Sequence, residues 1–499
     1  MRLYVTELSK YVIALFMLLY VMDSFYALTK PYEEDRKMIC TRQIIYMFAV
    51  QVSCFIQIIA RTGKPVYLFF FAFQIVIYAS VLMLFYILYP DGNRIVINNT
   101  CMLLIIGITI LTRLSYEKAV KQFIVMSLSF IIGFFIPEII FRLNVLKKYT
   151  WIYAGVAIAA IGIVLILGSA TNGSKISYKI AGIVFQPSEF VKVLFLFYLA
   201  GALYKAKELT EHLIAAAVAG VHVIILVLSK DLGSALLFFV VFLALIYIST
   251  NNILYLLIGV SFGTVASMAA YKLFPHIQVR VKTWQDPFKD IEGTGYQLSQ
   301  SLFGISSGGP FGLGLYGGAP QSIPLIERDF IFSAIAEELG LIFACLMVLI
   351  CLSTFMHMMY EGCMVHDKYY KLIACGIGVA YIFQTFLTIG GGSKFIPLTG
   401  VTLPLVSYGG SSVMVTVFMI MIFEGICMIR RFEEDEEEIR RENERERREY
   451  RRGSRRGGRR DYGRDYDRDY DRDYDRDDRR GRRAYRDKER DLIYEDEEW

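Results

Sequence analysis

Residues 275–329 read PHIQVRVKTWQDPFKDIEGTGYQLSQSLFGISSGGPFGLGLYGGAPQSIPLIERD. They form the longest polar interruption before the carboxy-terminal tail, in a chain otherwise built of apolar segments. A connection of this length inside a compact protein is usually either functional or disordered. Its aromatic and aliphatic residues argue against disorder, so we interpret it as the functional loop of a membrane protein.

The composition supports a membrane protein. Hydrophobic residues make up 55% of the 499 residues although the tail is almost entirely charged, so the remainder is more apolar than the average shows. The net charge of +5 comes from a tail rich in both signs and gives no reason to expect a nucleic-acid partner. None of the eight cysteines forms a CxxC pair, which favours small buried side chains over disulfides or metal ligands.

Apolar runs of roughly 17 to 25 residues indicate helices that cross a bilayer. The predicted spans are 11–28, 44–60, 66–89, 100–114, 122–141, 152–168, 190–206, 213–229, 233–249, 253–274, 330–356, 370–391 and 403–429. The sequence therefore predicts an all-α polytopic membrane protein.

Short loops rich in Lys and Arg usually face the cytoplasm. Such loops occur at 29–43, 142–151, 205–212 and 357–369, and they alternate correctly with the basic tail. This pattern predicts a cytoplasmic tail, with the amino terminus and the long loop outside. Three basic residues between 113 and 121 fall on a predicted outer loop and count against it.

The tail changes character at residue 431. Its first part, FEEDEEEIRRENERERREYRR, carries opposite charges three or four residues apart and predicts a helix. The Asp/Tyr/Arg repeats that follow are too polar to pack, so we expect disorder there. Arg-rich segments can contact anionic membrane lipid. The interleaved Asp residues favour mutual neutralisation and a tethering or solubilising role instead.

Ionisable residues within spans are costly enough to be candidates for functional sites. Glu189 and Lys192 stand three apart at the start of a span and can pair on one helical face, either as a structural ion pair or as part of a substrate site. Asp231 opens another span, where helix capping is the simplest interpretation. The adjacent Glu337 and Glu338, two turns into a span, must face protein or water.

The segment before the last span is broken by Gly and Pro. TIGGGSKFIPLTGVTLP cannot be a continuous helix, and non-helical backbone at membrane depth is tolerated where it lines a cavity. SYGGSS, which includes Ser407 and Ser411, then lets the next helix approach its neighbours closely. Lys394 is predicted on the outer side, where it either binds phosphate or extends to the membrane interface.

Five blocks in order resemble the SEDS family, the shape, elongation, division and sporulation proteins that include RodA, FtsW and SpoVE. They are FQPSEFVKV (185–193), KDLGSA (230–235), DPFKDIEGTGYQLSQSL (286–302), DFIFSAIAEELG (329–340) and PLTGVTLPLVSYGGSS (397–412). The resemblance implies a ten-helix core in the bacterial plasma membrane with a large extracellular loop. We therefore expect extra transmembrane helices at 1–95, the core at 96–430 with the loop at 275–329, and a cytoplasmic tail at 431–499.

The resemblance also implies an activity. Members of the family polymerise lipid II as peptidoglycan glycosyltransferases and work with a class B penicillin-binding protein that crosslinks the glycan. The family's loop aspartate precedes the Gly-x-Gly-Tyr-Gln element by three residues, which selects Asp290 as the catalytic residue and includes Gln297 in the element. The family's Pro-Glu-x-His-Thr-Asp reads PLIERD here, so Pro324 and Asp329 match and the Glu and His do not.

The implied reaction inverts the donor's anomeric centre, so one carboxylate base suffices when cations stabilise the leaving pyrophosphate. Asp290 is the predicted base. Predicted substrate or pyrophosphate contacts are Lys394, Arg280, Lys192, Glu189, Gln297 and Ser411. Predicted supporting residues are Asp231, Asp329, Glu337, Glu338 and Ser407. Asp286 and Glu292, together with Asp290, could hold Mg²⁺ or Mn²⁺.

Simpler interpretations remain open at this point. Asp286 before Pro287 is a common turn starter, and Asp290 could simply cap the helix that follows. At the level of the whole protein, buried Glu and Lys among thirteen spans could instead belong to a lipid II flippase or transporter. A non-catalytic scaffold of the cell-wall machinery is the third possibility.

Overall fold

The computed structural model describes residues 2–456, apart from 31–32, 168, 172–173 and 181–182. The helices are α1 Arg2–Tyr26, α2 Glu33–Thr62, α3 Val66–Leu88, α4 Arg94–Leu114, α5 Tyr116–Gly133, α6 Ile136–Arg142, α7 Thr150–Leu167, α8 Pro187–Leu203, α9 Leu209–Leu228, α10 Leu232–Thr250, α11 Ile253–Leu273, α12 Pro275–Gln285, α13 Tyr296–Gly308, α14 Ile331–Leu339, α15 Leu341–Met364, α16 Lys368–Gly392 and α17 Gly410–Arg456. Within the described residues, 12 helices are long and apolar enough to cross a membrane. The polytopic helical fold is confirmed.

A small sheet between α7 and α8 departs from the predicted all-α class. Strands β1 Ser169–Thr171, β2 Ser174–Ile180 and β3 Ile183–Phe185 form an antiparallel sheet in sequence order. Residues 170 and 175 pair across the first two strands, and 179 and 184 pair across the last two. Sequence periodicity did not indicate this sheet, because such short strands give little alternation to detect.

Helix α4 lies at the centre of the bundle. Every residue from Ile95 to Arg113 is buried, the polar ones included. Polar side chains join it to the amino-terminal helices: Tyr20 and Ser24 both donate hydrogen bonds to the Asn99 side-chain oxygen, at 2.9 and 3.2 Å. Buried hydrogen bonds of this kind fix the position of a helix in an apolar environment. The amino-terminal helices are therefore packed against the core.

The predicted span 330–356 is wrong as a single helix. Gly340 separates α14 from α15 with φ +94°, a backbone conformation that residues other than glycine rarely adopt. A Cβ at this position would also overlap the backbone of Gly312. As a result Glu337 and Glu338 lie on the short α14, and only α15 has the length of a membrane span.

The predicted span 403–429 begins seven residues too early, because α17 starts at Gly410. Residues 393–409 are not helical, as the Gly and Pro content indicates, and Lys394 and Leu405 have positive φ values. The described part of the tail, 431–456, is helical, and Arg441 pairs with Glu437 at 3.1 Å. The predicted disorder of the repeats falls at 457–499, outside the described residues.

Candidate functional site

The long loop is mostly ordered into short helices. Between α12 and α13 runs a single 3₁₀ turn, Pro287–Asp290. The Asp286 side chain accepts a hydrogen bond from the Phe288 amide at 3.1 Å, which confirms the predicted turn starter. Ser299 Oγ donates to the Pro287 carbonyl oxygen at 3.2 Å and ties the turn to α13.

Asp290 is exposed at the end of this turn. Its Oδ2 accepts hydrogen bonds from the Thr294 amide at 2.8 Å and from the Thr294 hydroxyl at 2.9 Å. These two bonds hold the pKa of the Asp290 carboxyl below its ordinary value. Helix α13 has Gly295 as its N-cap, so Asp290 closes the preceding turn and does not cap that helix. A Cβ on Gly293 would lie 2.5 Å from both Asp290 carboxylate oxygens, so any larger residue here would displace the carboxylate.

The proposed cation site lacks the geometry of a metal site. Asp286 and Glu292 are exposed like Asp290, and within the described part of the chain no three His, Cys, Asp or Glu residues converge to hold a metal ion. We therefore derive no step of the chemistry through a bound cation. The use of Mg²⁺ or Mn²⁺ stays a prediction.

A buried polar network surrounds Lys192 at the start of α8. Its Nζ donates to Glu189 Oε2 at 2.8 Å and to Gln384 Oε1 at 2.7 Å, so the predicted pair on one helical face is confirmed. The Gln384 side-chain nitrogen donates to the Thr402 carbonyl at 3.0 Å. The network thus connects α8 and α16 to the non-helical segment 393–409.

Asp231 belongs to a second network at the start of α10. It caps that helix, as predicted, by accepting a bond from the Ser234 amide at 3.2 Å. Its Oδ2 also accepts from the Ser188 hydroxyl at 3.0 Å. Ser411 Oγ accepts from the Gln186 amide at 3.2 Å, and the Gln186 side chain donates to Ser188 at 3.1 Å. Asp231 and Ser411 therefore meet through residues that begin α8.

Arg280 on α12 lies between these networks and the end of the loop. Its Nη1 donates to the Leu398 and Thr399 carbonyl oxygens, both at 3.0 Å. Burial lowers the pKa of its guanidinium, whereas the nearby charges of Asp329 and Asp231 oppose that change. Burial also raises the pKa of Asp329 to about 6, despite the neighbouring Arg328 and Arg280. Arg280 is thus a partly buried cation beside two carboxylates.

Lys394 lies on the segment that α12 contacts. Its backbone carbonyl accepts a hydrogen bond from Trp284 Nε1 at 3.1 Å. Its side-chain ammonium makes no hydrogen bond or ion pair with the described residues, and the residue is half-buried. The side chain of Gln297, near the start of α13, likewise has no hydrogen bond within the described chain. Both side chains can therefore contact a ligand without breaking an existing bond.

The remaining predicted residues hold the loop in place. Glu337 Oε1 accepts from the Ala319 amide at 2.7 Å, and Glu338 Oε1 accepts from the Tyr316 amide at 3.1 Å. Ser407 Oγ donates to the Arg328 carbonyl at 2.5 Å. All three side chains bond to loop backbone, which is the geometry of the predicted supporting role.

Sequence reasoning missed several residues of this region. Arg113 forms a buried ion pair with Glu338 at 2.8 Å. From the sequence, this residue only counted against the predicted orientation of the membrane spans. Lys118 likewise pairs with Glu327 in the divergent PLIERD segment. Both pairs join residues more than 200 positions apart, which spacing alone cannot reveal. The sequence signal for these pairs was a cluster of basic residues on one predicted outer loop and of acidic residues on another.

The fold and the site together define a polytopic membrane protein with an exposed loop carboxylate and a partly buried cluster of cations and carboxylates. A family model described as "Cell cycle protein" and covering FtsW, RodA and SpoVE matches residues 94–432. The chain belongs to this family. The recognition from sequence is confirmed, and the protein is a multi-pass bacterial membrane protein.

Three relatives illustrate the similarity. The chain is 34% identical over 274 residues to the peptidoglycan glycosyltransferase RodA of Mycobacterium tuberculosis, covering 52% of this chain and 58% of the relative. It is 30% identical to the probable peptidoglycan glycosyltransferase FtsW of Enterococcus hirae, covering 64% and 85%. For the Bacillus subtilis FtsW the identity is 32%, with 57% and 74% covered. The chain thus spans somewhat over half the length of the RodA relatives.

Solved structures confirm the fold. One chain of a peptidoglycan synthase complex that coordinates polymerization and crosslinking matches with a TM-score of 0.61 at 22% identity, covering 68% of this chain and 98% of that one. The RodA of Thermus thermophilus matches with a TM-score of 0.53 at 20% identity, covering 68% and 97%. At these identities the similarity establishes the architecture alone.

Proposed function

We propose that this protein is a peptidoglycan glycosyltransferase that polymerises lipid II at the outer face of the plasma membrane. The observation that carries the proposal is Asp290: an exposed loop carboxylate, fixed by Thr294, three residues before the Gly-x-Gly-Tyr-Gln element. Relatives that match the same core are named peptidoglycan glycosyltransferases. We further propose that the loop and the amino terminus lie outside and the tail lies in the cytoplasm.

In the proposed step, Asp290 accepts the proton of an acceptor sugar hydroxyl as the oxygen attacks the donor's anomeric carbon. The bond from that carbon to the pyrophosphate oxygen breaks, and the pyrophosphate lipid leaves with the electron pair. Lys192, Arg280 and Lys394 stabilise its negative charge. The low pKa keeps Asp290 ionised in the free enzyme, and desolvation by bound substrate raises that pKa towards the value a base requires.

The proposed partner is a class B penicillin-binding protein that crosslinks the glycan. A chain of a synthase complex that combines polymerization with crosslinking shares the fold, which supports this choice. Helix α11 exposes apolar side chains along its whole length and has no buried residue, so it offers a surface for lipid or for a partner helix.

The test is polymerisation of purified lipid II by the detergent-purified full chain, with and without a candidate transpeptidase. Moenomycin is included to exclude the unrelated class of glycosyltransferase. Asp290→Asn keeps the size of the side chain and removes the base, so we expect a rate loss of about 10² to 10⁴. The matched control is Glu117→Gln, because Glu117 is an exposed carboxylate that pairs only with Lys121 in the described structure.

Wild-type activity in the Asp290→Asn variant would reject Asp290 as the base. Absence of glycan under every partner condition would reject the proposed glycosyltransferase activity. An assay of lipid II translocation in liposomes would then distinguish a flippase from a scaffold. Transport that persists in the Asp290→Asn variant would favour the flippase.

A further inference from the structure

A pocket lies at the opposite end of the bundle from the long loop, where the amino-terminal helices meet the core. We call it the inner-end pocket; it is lined by Arg36, Lys37, Asp91, Arg94, Glu361 and Arg431. Arg36 and Lys37 lie near the start of α2, Asp91 and Arg94 at the turn into α4, Glu361 near the end of α15 and Arg431 in the middle of α17. The distribution of Lys and Arg predicts that this end faces the cytoplasm.

The lining carries an excess of positive charge. Four of its side chains are basic, and only Asp91 and Glu361 are acidic. Glu361 is already engaged: its Oε2 lies 2.6 Å from Arg430 Nη1, and its Oε1 lies 3.7 Å from Arg36 Nη1. The Asn93 side chain donates a further bond to Glu361 at 3.2 Å. The acidic groups therefore do not neutralise the whole lining.

Two guanidinium groups in the pocket have no anionic partner within the described chain. Arg94 stacks over the Tyr86 ring at 4.6 Å, but its buried Nε has no hydrogen-bond acceptor. Arg431 makes no ion pair or hydrogen bond with the described residues. An unsatisfied buried donor is unfavourable, and a ligand that accepts its bond removes that cost.

The chemistry of the pocket selects a phosphate group. Arginine presents a planar set of donors that matches phosphate oxygens in a bidentate arrangement. The first amides of α4 cannot contribute, because the Asn93 side chain already accepts from Ile95 and Val96. Recognition would therefore depend on the guanidinium groups themselves. A site at the predicted cytoplasmic end of membrane helices lies at the depth of phospholipid headgroups.

We propose that the inner-end pocket binds a phosphate group, either from the headgroup of an anionic phospholipid of the inner leaflet or from soluble phosphate. Bound there, the phosphate connects Arg94 at the start of the core to Arg36 and Lys37 of the amino-terminal helices. It would thus fasten the helices that lie outside the family match to the core. This inference is independent of the proposed glycosyltransferase activity.

The test uses the full chain purified in detergent. In one arm, native mass spectrometry counts phosphatidylglycerol retained in competition with phosphatidylcholine; in the other, inorganic phosphate is titrated while the melting temperature is followed. The variant is Arg94→Gln combined with Arg431→Gln. The control is Arg142→Gln, an exposed arginine at the same predicted face that pairs with Glu138.

We expect the double variant to bind about 25-fold more weakly, from about fivefold for each cationic charge at a lipid surface. Loss of phosphatidylglycerol retention in the double variant alone identifies the lipid headgroup as the ligand. Loss of the phosphate-dependent shift in melting temperature in the double variant alone identifies soluble phosphate as the ligand. Equal binding by the double variant, the control and the wild type in both arms overturns the proposal. If the double variant does not fold, Arg431→Gln alone serves, because Arg431 is only half-buried.

Discussion

The Arg113–Glu338 ion pair gives the sharpest test of how the long loop is held. The two side chains are 5% and 1% exposed, and Arg113 Nε lies 2.8 Å from Glu338 Oε1. Arg113→Met keeps an unbranched side chain of similar length and removes the charge. Removing one partner of a buried pair typically costs about 3–5 kcal/mol, because it leaves the other charge buried and unpaired. We expect a loss of that size in the free energy of unfolding.

The same pair predicts the effect of pH. Glu338 lies on α14, outside the membrane spans, and burial raises its pKa to about 7. Because the folded state then holds more protons than the unfolded state, its stabilising contribution is lost as pH rises from about 4.3 towards 7. Removing Arg113 raises this pKa further. The stability difference between variant and wild type should therefore be larger at pH 8 than at pH 5.

The assay is equilibrium unfolding in detergent mixtures at both pH values, together with limited proteolysis of residues 309–322. The control is Arg142→Met, because Arg142 pairs with Glu138 and the two side chains are 75% and 42% exposed. Losing this exposed pair should lower the free energy of unfolding by only about 0–1 kcal/mol. If Arg113→Met is no more destabilising than this control, or if the difference does not grow with pH, the pair does not anchor the loop.

Three further predictions concern the loop and its support. Thr294→Val removes the hydroxyl bond to Asp290, so the acidic limb of the kcat/KM profile should shift to higher pH; an unchanged limb would point to another base. Gly293→Ala should abolish polymerisation while the melting temperature stays near wild type, because the added Cβ displaces the carboxylate; retained activity would contradict this. Gln57→Leu leaves the Leu315 amide without its acceptor at 3.0 Å and should cost about 1–3 kcal/mol of unfolding free energy. Chemical denaturation measures this cost against Gln278→Leu, at a half-buried position whose side chain makes only a long, exposed bond of 3.5 Å to the Lys272 carbonyl.

Membrane spans were predictable because apolar runs and loop charges report directly on the bilayer. The errors in the predicted spans arose where a helix ends but the chain stays inside the protein. Gly340 interrupts the apolar run 330–356 through its φ angle, and hydropathy does not register a dihedral angle. Likewise α17 begins at Gly410 because residues 403–409 are engaged by other segments; the Tyr408 amide, for example, donates to the Glu327 carbonyl at 2.7 Å.

Within the site, local pairs were predictable and distant ones were not. Glu189 and Lys192 stand one helical turn apart, so their pairing followed from spacing alone. The contact of Lys192 with Gln384 joins positions 192 residues apart and depends on how α8 packs against α16. The resemblance to a family motif selected Asp290 as the catalytic residue, whereas only the structure shows its hydrogen bonds to Thr294.

Among the described contacts the predicted base, Asp290, bonds to Thr294 and forms no ion pair with a predicted cation, and electrostatics explains why this is useful. Glu189 already offsets part of the charge of Lys192, and Asp231 and Asp329 lie near Arg280. A further carboxylate paired with either cation would leave less positive charge for the leaving pyrophosphate. Lys192 uses two of its three ammonium donors, for Glu189 and Gln384, and keeps one for a ligand. Arg280 uses one nitrogen for two backbone carbonyls, so most of its donors also remain for a ligand. Asp290 is held only by its own turn among the described contacts, so its carboxylate is left free to accept a proton.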